Sequence, residues 1–156
     1  MSGQTTQRSM DLFESGFYCA ESVLLALAEA NGVQSDLIPR IATGFCSGMA
    51  RTCGTCGAVT GAIIGLNLAT GRSSPAESVD LNYALVQKLI RTFEREFGST
   101  NCADLIGCDV GSAEGQEFYA ENNLVERCKH YTGEAVRITL SLLVTCIPAT
   151  LDPKAP

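Results

Sequence analysis

The chain has 156 residues and a net charge of −6, with 46% hydrophobic and 18% charged residues. That composition is too apolar for a disordered protein and long enough to bury a full core. The acidic balance, without a cluster of Lys or Arg, argues against nucleic acid or an anionic membrane surface as a partner. We expect a single domain over residues 5–147 and a disordered tail over 148–156.

The N-terminal stretch is polar and lacks the apolar centre of a signal peptide, which predicts a cytoplasmic protein. Residues 52–71 carry no charge and approach the length of a membrane span. Their five glycines and four threonines lower the hydrophobicity, so we predict no membrane insertion. In a reducing compartment, eight cysteines indicate metal, redox or catalytic use more than structural disulfides.

No stretch alternates apolar and polar residues with a period of two, so the sequence predicts an all-α fold, a compact multi-helix bundle. In the first part of the chain, helices are predicted over residues 5–15, from Cys19 to Asn31, and from Asp36 toward Gly44 with Ser35 as its cap.

The next predicted helix, about residues 56–70, is apolar nearly all round, as a central buried helix would be. Its glycines Gly57, Gly61 and Gly65 lie four residues apart on one face, where they allow neighbouring backbones to approach closely. Cys56 is expected in the first turn, where free N–H groups and the helix dipole favour a thiolate over a thiol.

The second half begins with a helix start signal, Ser74-Pro-Ala-Glu77, which predicts a helix from residue 75 that Gly98 ends. Its expected apolar face comprises Val79, Tyr83, Val86, Ile90, Phe93 and Phe97. Asn101 is predicted to cap a short helix that begins at Cys102. Residues 112–121 are ambiguous between loop and irregular helix, and Thr132 is predicted to cap a last helix that Pro148 breaks.

Four cysteines fall close to predicted helix starts, with Cys19, Cys56 and Cys102 at or near an N-terminus and Cys128 just before one. Sulfurs so placed could converge at one end of a bundle. The hexapeptide Cys56-Gly-Ala-Val-Thr-Gly61 matches the CGAxxG motif of the family of redox proteins called C-GCAxxG-C-C. The flanking segments agree: Cys19-Ala-Glu-Ser-Val-Leu, Gly44-Phe, Gly98 followed by Asn101-Cys102, and Cys128. The chain resembles this family over about residues 10–145.

The resemblance implies a redox role for four shared cysteines, which match Cys19, Cys56, Cys102 and Cys128 here. A related domain in split-Soret cytochromes has been associated with an iron–sulfur site, and the resemblance is the main reason to consider a homodimer. The chain has no Cys-x-x-Cys-His, so covalently attached haem is not predicted. It departs from the family in having Tyr18 where many relatives have asparagine, and in four further cysteines: Cys46, Cys53, Cys108 and Cys146.

Three functions remain open at this point. The first is a metal or iron–sulfur centre for electron transfer, held by the four shared cysteines, since four thiolates suit [2Fe–2S], [4Fe–4S] or Zn²⁺. The second is a thiol–disulfide protein without a cofactor, in which Cys53 and Cys56 form a redox pair at a helix N-terminus. The third is a helical interaction module with structural cysteines, because free cysteine is among the most buried residue types.

Two further residues, His130 and Arg51, each have two possible roles. His130, the single histidine, is either a ligand or proton relay near Cys128 or a solvated side chain. Arg51 either pairs with a carboxylate or cluster charge or is a solvated loop residue. The sequence names no enzyme class, substrate, electron or thiol partner.

Overall fold

The structure, a computed structural model, describes residues 1–146, with side chains through Thr145. Its helices are α1 (Ser2–Glu14), α2 (Cys19–Ala30), a 3₁₀ helix (Arg40–Phe45), α3 (Cys46–Arg51), α4 (Gly57–Thr70), α5 (Asp80–Phe97), α6 (Cys102–Ile106), α7 (Ala113–Glu121) and α8 (Val125–Cys146). The predicted all-α fold is confirmed: residues 1–146 contain no β-strand, only an isolated bridge between Thr55 and Asn101. The expected tail over 148–156 lies outside the described residues.

Helix α4 lies at the centre, as predicted, and packs against α2, α5 and α8. Its Ala58, Ala62 and Leu66 are fully buried. A Cβ atom on Gly61 would lie 2.6 Å from the Ala20 carbonyl oxygen, and one on Gly65 would overlap the Leu27 side chain. Because the glycines carry no side chain, the backbone of α4 packs directly against α2.

Helix α8 is the longest element and packs against α1, α2, α4 and α5. The largest buried apolar side chains of the core are Val23, Leu24, Leu27, Val59, Leu66, Leu85, Leu89, Phe93, Val136 and Ile138. The buried hydroxyls of Thr132 and Thr139 donate to carbonyl oxygens one turn earlier in α8, at 2.8 and 2.7 Å. Through residue 146, no helix is long and apolar enough to cross a bilayer.

The helix predicted from Asp36 is wrong. Residues 36–39 form turns, the Ile38–Pro39 peptide is cis, and the 3₁₀ helix follows at Arg40. The Ser35 hydroxyl accepts the Leu37 N–H within a local turn, at 3.2 Å. Leu37 is 59% and Ile41 is 45% exposed, and of the three apolar residues that suggested a helix face only Ile38 packs against the core.

The predicted start of the next helix at residue 75 is also wrong, because α5 begins at Asp80. The Ser74 hydroxyl accepts the Ala76 N–H, and the Glu77 carboxylate accepts the Ser73 N–H. These capping-type hydrogen bonds close an isolated turn instead of starting a helix. The end at Gly98 is confirmed by its left-handed φ of 86°. The buried stripe of α5 is Leu85, Leu89 and Phe93, while Tyr83 is 58% exposed.

In the C-terminal part of the described chain, the predicted helix cap at Thr132 is wrong and the predicted cap at Asn101 is confirmed. Thr132 does not cap a helix, because α8 runs through it without a break. The ambiguous residues 112–121 contain α7, which Ser112 caps by accepting the Gly115 N–H at 2.9 Å. The predicted cap of α6 is confirmed, since the Asn101 side chain accepts the Asp104 N–H at 3.2 Å.

Helix α3 is a left-handed turn that the sequence analysis missed. Residues 47–51 all have φ between 55° and 67°. Each non-glycine residue in this conformation costs about 1–2 kcal/mol, and such strain clusters at functional sites. The turn is held where the Gly48 carbonyl accepts the N–H groups of Gly54 and Thr52, at 2.9 and 3.2 Å.

Candidate functional site: a cavity lined by four cysteines

The N-terminal ends of four helices meet around one cavity of about 170 Å³. Cys19 is the first residue of α2, Cys56 directly precedes α4, and Cys102 is the first residue of α6. Cys128 lies in the first turn of α8, so its predicted place before a helix is wrong. All four cysteines line the cavity, although Cys128 comes 109 positions after Cys19 in the chain.

Two backbone hydrogen bonds place Cys56 beside Cys102. The Cys56 N–H donates to the Thr100 carbonyl at 2.8 Å, and the Cys102 N–H donates to the Gly54 carbonyl at 2.9 Å. Residues 54–56 and 100–102 thus pair like a minimal antiparallel ladder next to the cavity.

Two glycines give the cysteines room. A Cβ atom on Gly57 would overlap the Cys19 sulfur, and one on Gly48 would lie 2.5 Å from the Cys102 Cβ. Gly57 belongs to the CGAxxG hexapeptide and Gly48 to the left-handed turn. Both segments therefore lie against a cavity cysteine at a distance that only glycine permits.

The remaining cavity wall combines apolar and polar side chains. The other lining residues are Phe13, Tyr18, Ser47, Arg51, Leu105, Ile106, Val110, Gln116, Tyr119 and Tyr131. Among these described lining residues, Arg51 is the single basic side chain. The Tyr119 hydroxyl donates a hydrogen bond to the Cys128 sulfur. The sequence carried no signal for Tyr119, because its spacing relates it to none of the cysteines.

Burial raises the pKa of three cavity thiols, those of Cys56, Cys102 and Cys128. It raises the pKa of Cys56 to about 12 and outweighs the Ala58 and Val59 N–H groups, which lower it. Burial also raises the pKa of Cys102 to about 12, helped by the nearby Cys128. The predicted thiolate at Cys56 is therefore wrong, since desolvation exceeds the effect of the helix N-terminus.

The thiols are separate groups in this structure. The side chains of seven cysteines, all except Cys146, are described, and each is a free thiol. Within the described side chains, no three His, Cys, Asp or Glu residues are arranged to hold a metal ion. Cys46 is buried, hydrogen-bonds with Cys19, and lies 3.7 Å from the Ala42 carbonyl oxygen.

The two members of Cys53-Gly-Thr-Cys56 have different environments. Cys56 lines the cavity, whereas Cys53 is half-buried outside it and its thiol donates a hydrogen bond to the Asp109 carboxylate. His130 is exposed, with its ring edge-on to Phe97 at a centroid distance of 5.7 Å, and does not line the cavity.

Comparisons with known proteins identify the family to which the sequence belongs. The model of the family described as "Putative redox-active protein (C_GCAxxG_C_C)" matches residues 17–142, a range that contains all four cavity cysteines. An uncharacterized protein of Archaeoglobus fulgidus is 31% identical over 147 residues, covering 88% of this chain and 91% of the relative. No solved structure matches the chain. The chain belongs to the C-GCAxxG-C-C family.

Proposed function

We propose that this protein transfers electrons through an iron–sulfur or other metal centre held by Cys19, Cys56, Cys102 and Cys128. The observation that carries the proposal is that four helices each present one cysteine to the same cavity. Four thiolates are the donor set of [2Fe–2S], [4Fe–4S] and tetrahedral zinc sites.

The charges around the cavity suit an anionic centre. Without metal the thiols of Cys56 and Cys102 are neutral, because burial raises their pKa to about 12. Metal binding would displace those protons and leave thiolates. The helix N-termini contribute partial positive charge, and Arg51 adds a full positive charge to the wall. A bound iron–sulfur centre would supply one-electron transfer.

The remaining wall would adjust the properties of such a centre. Phe13, Leu105 and Val110 restrict water around the sulfurs. Tyr119 donates a hydrogen bond to the Cys128 sulfur, and hydrogen bonds of this kind help to set the reduction potential of thiolate-bound centres.

Loading requires the four side chains to turn toward a common point. Among the described side chains, no three candidate ligands share a metal-binding arrangement in this structure. The proposal therefore predicts a local rearrangement around the cavity when metal binds.

The test is anaerobic purification, followed by an absorption spectrum and by iron, zinc, sulfide and free-thiol analysis of the same sample. We expect iron, sulfide and a visible charge-transfer band, all lost in Cys56→Ser. The matched control is Cys108→Ser, which removes a cysteine outside the cavity and should retain the band. Far-UV circular dichroism of both variants separates loss of ligand from loss of fold.

Other outcomes contradict the proposal. Zinc alone would indicate a centre without electron transfer. A colourless, metal-free protein whose thiol count falls reversibly on oxidation would favour disulfide chemistry, with Cys53 and Cys56 as the pair expected from sequence. Thiols that stay inert to oxidant would favour a structural role in an interaction module.

A further inference from the structure

Two cysteines that the proposed centre does not use lie where two walls of the cavity meet. Cys53 and Cys108 do not line the cavity themselves. Residues that flank each of them do line it, namely Arg51, Cys56, Ile106 and Val110. Cys53 and Cys108 therefore mark the rim, one on each wall.

The two walls are in direct contact at this rim. The Cys53 thiol donates a hydrogen bond to the carboxylate of Asp109, the neighbour of Cys108. A Cβ atom on Gly111 would overlap the Arg51 carbonyl oxygen, so the loop after α6 packs backbone to backbone on the other wall. Cys53 contacts Asp109, and Cys108 is the residue directly before Asp109. The Cα atoms of these two neighbours are about 3.8 Å apart, so the Cys108 backbone lies close to the contact.

The rim loop is held in place by its own hydrogen bonds. The Asp109 carboxylate accepts the Gly111 N–H at 2.7 Å, and the Asp109 carbonyl accepts the Ser112 hydroxyl at 3.0 Å. On the opposite wall, the Asn101 side chain donates to the Cys53 carbonyl at 2.5 Å. Both cysteines are thus presented by fixed backbone segments.

Exposure separates the rim cysteines from three of the four cavity cysteines, since Cys128 is half-buried like them. Cys53 and Cys108 are half-buried, whereas Cys56 and Cys102 are each only 7% exposed. An external reagent therefore meets the rim sulfurs before those of Cys19, Cys56 and Cys102. Cys53 also has a left-handed φ of 57°, a conformation that occurs mainly where the surrounding structure enforces it.

We propose that Cys53 and Cys108 form a reversible disulfide across the cavity rim by exchange with a low-molecular-weight disulfide such as glutathione disulfide. One cysteine thiolate attacks the external disulfide, forms a mixed disulfide and releases the first external thiolate. The second cysteine thiolate attacks the protein sulfur of that mixed disulfide and releases the other. The two leaving thiolates take up the two protons that the cysteines lose, so one external disulfide becomes two thiols.

The bond would join the two walls and hold the cavity closed in the oxidised protein. This role does not depend on the proposed metal centre, because neither rim cysteine belongs to its ligand set. The disulfide is expected whether or not the purified protein contains metal.

The test equilibrates the reduced full-length protein with glutathione buffers of increasing disulfide fraction, followed by acid quenching, alkylation and peptide mass spectrometry. Trypsin leaves Cys53 and Cys56 in one peptide, residues 52–72, and Cys102 and Cys108 in another, residues 96–127. Fragment ions must therefore identify the linked pair. We expect a Cys53–Cys108 link, a loss of two thiols per chain, and full reversal by dithiothreitol.

Single variants sharpen the assignment. Cys53→Ser and Cys108→Ser should each abolish the link and leave the other rim cysteine as a mixed disulfide with glutathione. Cys56→Ser should retain the link, which distinguishes it from a Cys53–Cys56 pair. A link from Cys53 to Cys56, mixed disulfides without a protein link, or an unchanged thiol count would each overturn the proposal. Metal analysis of the same samples shows separately whether the metal centre exists.

Discussion

At the scale of single residues, the contact between Cys53 and Asp109 controls a thiol. The hydrogen bond to the Asp109 carboxylate is the main reason that the pKa of Cys53 is raised. Asp109→Asn removes the negative charge but keeps the oxygen that accepts the Gly111 N–H. We expect the pKa of Cys53 to fall toward its ordinary value.

The measurable result is faster alkylation of Cys53. At pH 7.5 the thiolate fraction rises about tenfold for each unit by which the pKa falls, so we expect a several-fold higher rate with iodoacetamide. The control is Asp104→Asn, on α6, whose carboxylate accepts the Ser99 hydroxyl instead. Equal rates in wild type and Asp109→Asn would show that the carboxylate does not govern this thiol.

At the scale of helices, the contact between α4 and α2 depends on Gly61. A methyl group there would lie 2.6 Å from the Ala20 carbonyl oxygen and 2.8 Å from its Cα. Because both neighbours are backbone atoms, the helices must separate to make room. We expect Gly61→Ala to lower the free energy of unfolding by about 1–3 kcal/mol, measured by urea denaturation.

Gly44→Ala is the matched control. A Cβ atom on Gly44 meets nothing within 4 Å, and its φ is not left-handed. This substitution should leave the stability unchanged or raise it by less than about 1 kcal/mol. Equal stability of wild type and Gly61→Ala would mean that the helix contact is looser than the structure shows.

Sequence patterns predict a helix start correctly where hydrogen bonds between neighbouring residues determine it. Asn101 begins α6 as expected, because its side chain satisfies an N–H group three residues later. Ser74 makes similar hydrogen bonds without starting a helix, since the first buried apolar residues after it are Leu85 and Leu89. The left-handed turn gave no signal beyond Gly48, because serine, methionine and alanine do not favour that conformation.

At the scale of the whole molecule, burial of the thiols links stability to pH. The pKa of Cys56 and Cys102 is about 12 in the folded chain, against an ordinary 9.0. Above pH 9 the unfolded chain loses these protons first, so stability falls as pH rises from 9 toward 12. Each thiol contributes a slope of about −1.4 kcal/mol per pH unit.

Urea denaturation of the reduced, metal-free protein between pH 8 and 11 measures this slope. Cys56→Ser should make it shallower by about 1.4 kcal/mol per pH unit, because one titrating group is removed. An identical slope in the variant would mean that Cys56 ionises freely in the folded chain.

The difference between local and tertiary contacts explains which features of the site the sequence predicts. Helix starts identified Cys19, Cys56 and Cys102, since capping is a local property. The burial of Cys56 depends on α6, α7 and α8, which cover the cavity. Local sequence patterns therefore do not predict that the Cys56 thiol is neutral. Tyr119 and the rim contact between Cys53 and Asp109 are likewise products of tertiary packing.

The spacing of the four cavity cysteines has a consequence for biosynthesis. Cys128 follows the other three by at least 26 residues and belongs to α8, which packs against α1, α2, α4 and α5. A chain emerging from the ribosome therefore exposes three scattered thiols before the fourth helix arrives to close the cavity. Until α8 docks, the thiols of Cys19, Cys56 and Cys102, which are buried in the folded chain, are open to stray oxidants and metal ions.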